Sequence, residues 1–110
     1  MSDGTNELTI HEVDPHEAQR LLTQGALALD VREPEEFAAG HIPGAWLLPL
    51  GQLGRQVSTL PRNRRIVLVC RSGRRSGEAT RTLMVAKFIG PVNLKGGMLA
   101  WRTAGLPIAA

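Results

Sequence analysis

The amino-acid sequence predicts an α/β protein in which helices cover both faces of a parallel sheet. Short apolar segments alternate with helical patterns along most of the chain, as expected when a helix links each strand to the next. The segment 66–69 is apolar at every position, which is typical of a parallel strand buried on both faces. A length of 110 residues suits one domain, which we expect to span 8–110 after a flexible segment of residues 1–7.

The strands of this sheet are predicted from short apolar runs that end at turn residues. In chain order they are 8–10, 27–31, 46–48, 66–69 and 92–94. The third run is expected to be buried, with Trp46 packed inward or forming part of a pocket wall.

The helices are predicted from capping residues and apolar spacing. Asp14 is a suitable N-cap, Pro15 suits the first helical position, and Glu17 completes a capping box before Gly25 ends the helix. Ser76 is predicted to cap the helix that follows the fourth strand. The remaining helical patterns cover 33–40, 50–60, 76–88 and 98–104.

Composition excludes several classes of function. No apolar run approaches the roughly 20 residues of a membrane helix, and the polar, acidic start is unlike a secretory signal. We therefore expect a cytoplasmic protein with no membrane partner. The net charge is +3, but the basic residues gather at one loop without aromatic neighbours, which disfavours nucleic acid. One cysteine and scattered histidines predict neither a disulfide nor a metal site.

The single cysteine, Cys70, ends the apolar strand 66–69 and begins a polar loop. Gly73 permits a backbone turn that points successive N–H groups inward, and the next helix directs its positive N-terminus at the loop. Three arginines add full charges: Arg71, Arg74 and Arg75. This setting indicates a thiolate that meets an anion, whereas an ordinary core cysteine usually lies within an apolar segment.

The energy needed to ionise Cys70 is modest. A free cysteine has a pKa of about 8.5, so about 3% is thiolate at pH 7. A drop of about two units would make the thiolate dominant and requires about 2.7 kcal/mol. One or two charge-assisted hydrogen bonds contribute on that scale.

Three motifs together make the chain resemble a single-domain rhodanese. They are LDVREPEEFAAGHIPGA at 29–45, CRSGRRS at 70–76, and LKGGMLAW at 94–101 followed by AGLP at 104–107. The resemblance implies a five-stranded parallel sheet and a sulfurtransferase without a cofactor, in which Cys70 becomes a persulfide. The implied donor is a small anion such as thiosulfate, and the implied acceptor is cyanide or a thiol.

The resemblance also implies roles for the neighbours of Cys70. The substrate-binding loop would comprise Arg71, Ser72, Gly73, Arg74, Arg75 and Ser76. Arg75 and Gly73 match the family's usual arginine and glycine, whereas the roles of Arg71 and Arg74 are inferred from charge alone. The scaffold near the site would comprise Asp30, Arg32, Glu36 and His41. Asp30 and Glu36 could form an acid–base pair, but structural roles in backbone hydrogen bonds and ion pairs are favoured. His41 could assist proton transfer, but hydrogen bonding within its turn is favoured.

Other functions stay open. Related phosphatases and arsenate reductases have one more loop residue, so the spacing of five from Cys70 to Arg75 favours sulfur over phosphate. A protein-level persulfide carrier, with another protein as donor or acceptor, is the main alternative. A sensor that uses the thiol as a redox or anion switch would not turn over substrate.

Overall fold

The computed structural model describes residues 9–110, and the expected flexible segment 1–7 lies outside them. The strands are β1 (His11–Val13), β2 (Leu27–Asp30), β3 (Trp46–Leu47), β4 (Ile66–Val69) and β5 (Val92–Leu94). The helices are α1 (Pro15–Thr23), α2 (Pro34–Ala38), α3 (Leu50–Gln56), α4 (Arg74–Val85) and α5 (Gly97–Thr103). A 3-10 turn at Val57–Thr59 follows α3.

The strands form one sheet in the order β1-β5-β4-β2-β3, and every neighbouring pair is parallel. This confirms the predicted five-stranded parallel sheet. Strand β4 lies at the centre, with Asp30 of β2 beside Val69 of β4. The carboxyl ends of β2 and β4 therefore share one edge of the sheet, where functional crevices of such folds form.

Apolar residues pack on both faces of the sheet, as predicted. On one face, α1 and α5 bury Leu21, Met98 and Trp101 against Val67 and Val69. On the other face, α3 and α4 cover alternate strand positions and Cys70. The second group comprises Leu29, Val31, Leu53, Ile66, Leu68, Ala79 and Leu83.

Two strand predictions need correction. The first strand is His11–Val13 rather than 8–10, because these residues pair with β5; Leu8 lies outside the described part of the chain. The third strand is not a buried run, since only Trp46 and Leu47 pair with β2 and Trp46 is 46% exposed. β3 is the last strand of the sheet formed by residues 9–110, and this edge position, which an apolar sequence does not reveal, leaves Trp46 exposed.

Helix α1 begins as predicted, because the Asp14 carboxylate accepts a hydrogen bond from Glu17 N at 2.8 Å. The Glu17 side chain pairs with Arg20 instead of closing a capping box. A complete capping box occurs in α2, between Glu33 and Glu36. No helix within residues 9–110 is long and apolar enough to cross a membrane.

Candidate active site

Cys70 directly follows β4 and is fully buried beneath the loop that it begins. Its sulfur accepts hydrogen bonds from Gly73 N at 3.1 Å and from the Ser76 hydroxyl at 3.2 Å. Both donors lie on the turn that opens α4, so the thiol meets the positive end of a 12-residue helix. The helix N-terminus and the backbone N–H of the loop therefore lie at the thiol, as the sequence predicted, whereas the hydrogen bond from the Ser76 hydroxyl was not predicted.

The predicted N-cap of α4 is wrong. The cap is Gly73, whose φ of 102° is in the left-handed region that favours glycine, and the helix begins at Arg74 and ends at Val85. Ser76 lies inside the first turn, fully buried. From this position Ser76 cannot cap the helix, and its hydroxyl donates to the Cys70 sulfur instead.

The pKa of the Cys70 thiol is lowered from its ordinary value. Burial is the largest single influence and acts in the opposite direction, because a thiolate loses hydration. It is outweighed by hydrogen bonds from the Ser76 hydroxyl and from the backbone N–H groups of Ser76, Gly73 and Ser72. The loop therefore favours the nucleophilic form without any histidine.

Helix α5 holds the first part of the loop. Met98 N donates to Cys70 O at 2.8 Å, and Leu99 N donates to Arg71 O at 3.1 Å. The first N–H groups of a helix have no partner within it, so these bonds satisfy both elements at once. The close approach occurs at Gly97, where a Cβ would lie 2.4 Å from Cys70 O.

The three loop arginines differ in their contacts. Arg75 makes a bidentate ion pair with Glu36, at 2.8 and 2.9 Å, which binds the loop to α2. Arg71 and Arg74 are exposed and make no ion pair within residues 9–110. Arg75 is thus committed to a carboxylate, while the other two cations remain available to a ligand.

Glu36 contributes a pH-dependent part of the stability. Its hydrogen bond with Arg75 lowers its pKa to about 2. A folded-state pKa below the unfolded value means stability that is present above about pH 4.5 and is lost as the pH falls toward 2.

Replacing Glu36 with glutamine should therefore flatten the acid limb of the stability profile. Between pH 5 and pH 2, urea unfolding should show the wild type losing about 1 to 2 kcal/mol more than Glu36→Gln, allowing for partial solvent screening. Glu35→Gln, at an exposed position on the same helix, is the control and should follow the wild type. Parallel profiles for wild type and Glu36→Gln would contradict the prediction.

The other predicted scaffold residues, Asp30, Arg32 and His41, make hydrogen bonds and an ion pair within the fold. Asp30 and Arg32 form a buried bidentate pair, and Arg32 also donates to Gly40 O at 2.8 Å. His41 Nδ1 lies 2.7 Å from Phe37 O, and the two rings stack. The favoured structural reading of Asp30 and Glu36 agrees with these contacts, since each carboxylate has its own arginine.

Two residues of the site were missed by sequence reasoning. Asn93, buried in β5, donates to Gly73 O at 3.0 Å, and Gly97 makes the close approach to the loop. A polar residue between two apolar ones in a buried strand was the available signal for Asn93. Gly97 directly follows Gly96, and a turn there requires only one glycine. The second glycine was the available signal for a close backbone approach.

The fold and this site define a parallel α/β protein with a cysteine loop at the carboxyl end of its central strand. The model of the rhodanese-like domain matches residues 14–104. The chain therefore belongs to the rhodanese-like domain family, as its motifs indicated.

Individual relatives agree with this assignment. A "Sulfurtransferase" of Allochromatium vinosum is 41% identical over 103 residues, which cover 92% of this chain and 96% of that protein. "Thiosulfate sulfurtransferase 16, chloroplastic" of Arabidopsis thaliana is 39% identical over 105 residues, covering 84% and 88%. "Putative sulfur carrier protein YrkF" of Bacillus subtilis is 42% identical over 73 residues, but these cover 66% of this chain and only 40% of that one.

A solved structure shows the same fold. The rhodanese-like domain protein of Staphylococcus aureus superposes with a TM-score of 0.77 at 32% identity, covering 92% of this chain and 100% of that one. The family and these relatives support sulfur transfer as the general activity of this chain.

Proposed function

We propose that the protein transfers a sulfane sulfur from thiosulfate or a similar anion to a thiophilic acceptor through a persulfide on Cys70. One observation carries the proposal: the Cys70 sulfur receives two hydrogen bonds at a helix N-terminus, in a loop whose exposed Arg71 and Arg74 make no ion pair with any described residue. That arrangement stabilises a thiolate and attracts an anionic donor to it.

The reaction proceeds in two displacements. The Cys70 thiolate attacks the outer sulfur of thiosulfate, the S–S bond of the donor breaks, and sulfite leaves with the electron pair. Cyanide then attacks the outer sulfur of the persulfide, thiocyanate leaves, and the thiolate returns. The enzyme alternates between two covalent states, so ping-pong kinetics are expected.

The loop residues divide this work. Gly73 N–H and the Ser76 hydroxyl stabilise negative charge on sulfur before and after transfer. Arg71 and Arg74, which are exposed, bind the departing sulfite. Ser72 adds a backbone N–H, and Arg75 holds the loop in shape through Glu36.

The wild-type protein should show each half-reaction separately. Incubation with thiosulfate should add one sulfur atom to the intact mass, and cyanide should then remove it with an equal yield of thiocyanate. The measurement is intact-mass spectrometry on the full chain, with iodoacetamide-blocked protein as the control. An unchanged mass with every small sulfane donor tried would contradict the thiosulfate reaction.

A protein-level sulfur carrier is the second candidate. The relative named as a sulfur carrier matches at 42% identity and supports this reading. Here another protein would be the physiological donor or acceptor, and thiosulfate only a substitute. A persulfide that forms slowly from thiosulfate but rapidly from a protein persulfide would favour the carrier.

Phosphate and arsenate chemistry is the weaker alternative. Arg75 lies five residues after Cys70, whereas the corresponding arginine of the related phosphatases and arsenate reductases lies six residues after the cysteine. A generic aryl phosphate should not be hydrolysed, and turnover of it would favour that branch.

A further inference from the structure

Asn93 connects the cysteine loop to the sheet. Strand β5 lies beside both β1 and β4, so Asn93 is next to Glu12 on one side and Leu68 on the other. Its side chain is fully buried. Its Nδ2 atom donates to Gly73 O at 3.0 Å and to the Glu12 carboxylate at 2.9 Å.

These two acceptors determine how the amide is oriented. An Asn amide nitrogen has two protons, and here each has an oxygen acceptor. This orientation leaves the Oδ1 atom without a hydrogen-bond partner. It is the one such buried side-chain nitrogen or oxygen in residues 9–110. An uncompensated buried carbonyl destabilises a fold, so its presence calls for a physical reason.

The acceptor on the loop side is the N-cap carbonyl of α4. Gly73 O also accepts from Gly77 N at 3.0 Å, which is the first hydrogen bond of the helix. Both donors to the Cys70 sulfur, Gly73 N–H and the Ser76 hydroxyl, lie on this same turn. The hydrogen bond from Asn93 to the Gly73 carbonyl therefore fixes the position of the turn that carries both donors.

We propose that Asn93 is a positioning residue that holds the first turn of α4 against the sheet, so that Gly73 N–H and the Ser76 hydroxyl stay directed at the Cys70 sulfur. Glu12 orients Asn93 from the edge strand β1, where Glu12 itself is exposed. Asn93 does not contact the sulfur itself. The inference rests on the proposed function only in taking Cys70 as the reacting group.

The test compares the pKa of Cys70 with the stability of the fold. Asn93→Leu keeps the side-chain size but removes both donors and the unpartnered oxygen. We expect the pKa of Cys70 to rise by about 0.5 to 1 unit, as for one weakened hydrogen bond, while the urea midpoint stays the same or rises. The pKa is read from the pH dependence of iodoacetamide alkylation, which requires no sulfur transfer.

Four further variants separate positioning from general destabilisation. Ser76→Ala removes a direct donor and should raise the pKa, which shows that the assay is sensitive. Val92→Ala, at a buried position in the same strand, should lower the urea midpoint and leave the pKa unchanged. Glu12→Gln keeps an oxygen acceptor for Asn93 and should leave the pKa within about 0.2 units. Asn93→Ser is a second variant of the same residue, in which a smaller side chain leaves room for a water molecule. Its Cys70 pKa and urea midpoint are measured alongside those of Asn93→Leu.

Glu12→Gln is the only one of these variants that changes a charge, and that charge lies on β1. Arg75 acts on Cys70 through its charge and stays paired with Glu36. A pKa that is unchanged in a folded Asn93 variant, while Ser76→Ala raises it, would overturn the proposal. Failure of both Asn93 variants to fold would also overturn it, since Asn93 would then be holding the sheet. If the wild type transfers no sulfur while the Asn93 variants still raise the pKa of Cys70, the result counts against the proposed function and leaves this inference standing.

Discussion

Replacing Cys70 with serine should abolish sulfur transfer, with a loss of at least about 1000-fold in thiosulfate:cyanide turnover. A hydroxyl at this position is not ionised near neutral pH and cannot form a persulfide. The hydrogen bonds from Gly73 N–H and the Ser76 hydroxyl can still reach an oxygen, so the variant should fold. Intact-mass analysis after thiosulfate treatment should show no added sulfur.

Ser76→Ala is the matched control for this experiment. It removes one donor and keeps the nucleophile, so turnover should fall only about tenfold and the persulfide should still form. Turnover by Cys70→Ser within tenfold of the wild type would exclude a Cys70 persulfide as the intermediate.

Replacing Gly97 with alanine should lower the free energy of unfolding more than adding a methyl group at any other glycine of the site. The added Cβ would lie 2.4 Å from Cys70 O and 2.5 Å from Arg71 O, and both atoms belong to the backbone. Gly97 also has a φ of 56°, which costs a non-glycine residue about 1 to 2 kcal/mol. Relief of the contact must move α5 away from the loop that it holds.

The Gly105→Ala variant isolates the contribution of backbone strain. Gly105 has a φ of 73°, and a Cβ there would meet no atom within 4 Å. We expect Gly97→Ala to lose at least about 2 kcal/mol more than Gly105→Ala in urea unfolding, and turnover to fall about 100-fold in Gly97→Ala only. Equal stability losses in the two variants would show that the loop tolerates the methyl group.

Local sequence patterns predicted those parts of the structure that depend on near neighbours. The apolar run 66–69 predicted a doubly covered strand because each face of a central strand needs apolar side chains. Asp14 and Pro15 predicted the start of α1 because a cap and its helix lie within one turn. The loop after Cys70 predicted backbone N–H groups and a helix N-terminus at the thiol, because Gly73 and the start of the helix are only a few residues away.

One local prediction was wrong, and predictions that depend on distant partners were incomplete. Ser76 fits the pattern of a helix cap, but the left-handed Gly73 starts the helix earlier and leaves the Ser76 hydroxyl to the sulfur. Trp46 lies in an apolar segment, yet its place at the sheet edge leaves it half exposed. By charge alone the three loop arginines are equivalent, and only the resemblance singled out Arg75. Its ion pair with Glu36 of α2 is the contact that distinguishes it in the structure.

By itself the sequence determined the alternation of strands and helices, the cysteine at a strand end, and the positively charged loop around it. These follow from side-chain chemistry and spacing within a few residues. Only the tertiary structure decided that Glu36 binds Arg75, that Asn93 holds the N-cap of α4, and that Gly97 meets the Cys70 carbonyl. The partners in these contacts are 39, 20 and 27 residues apart. They meet because parallel strands bring distant segments to one edge of the sheet.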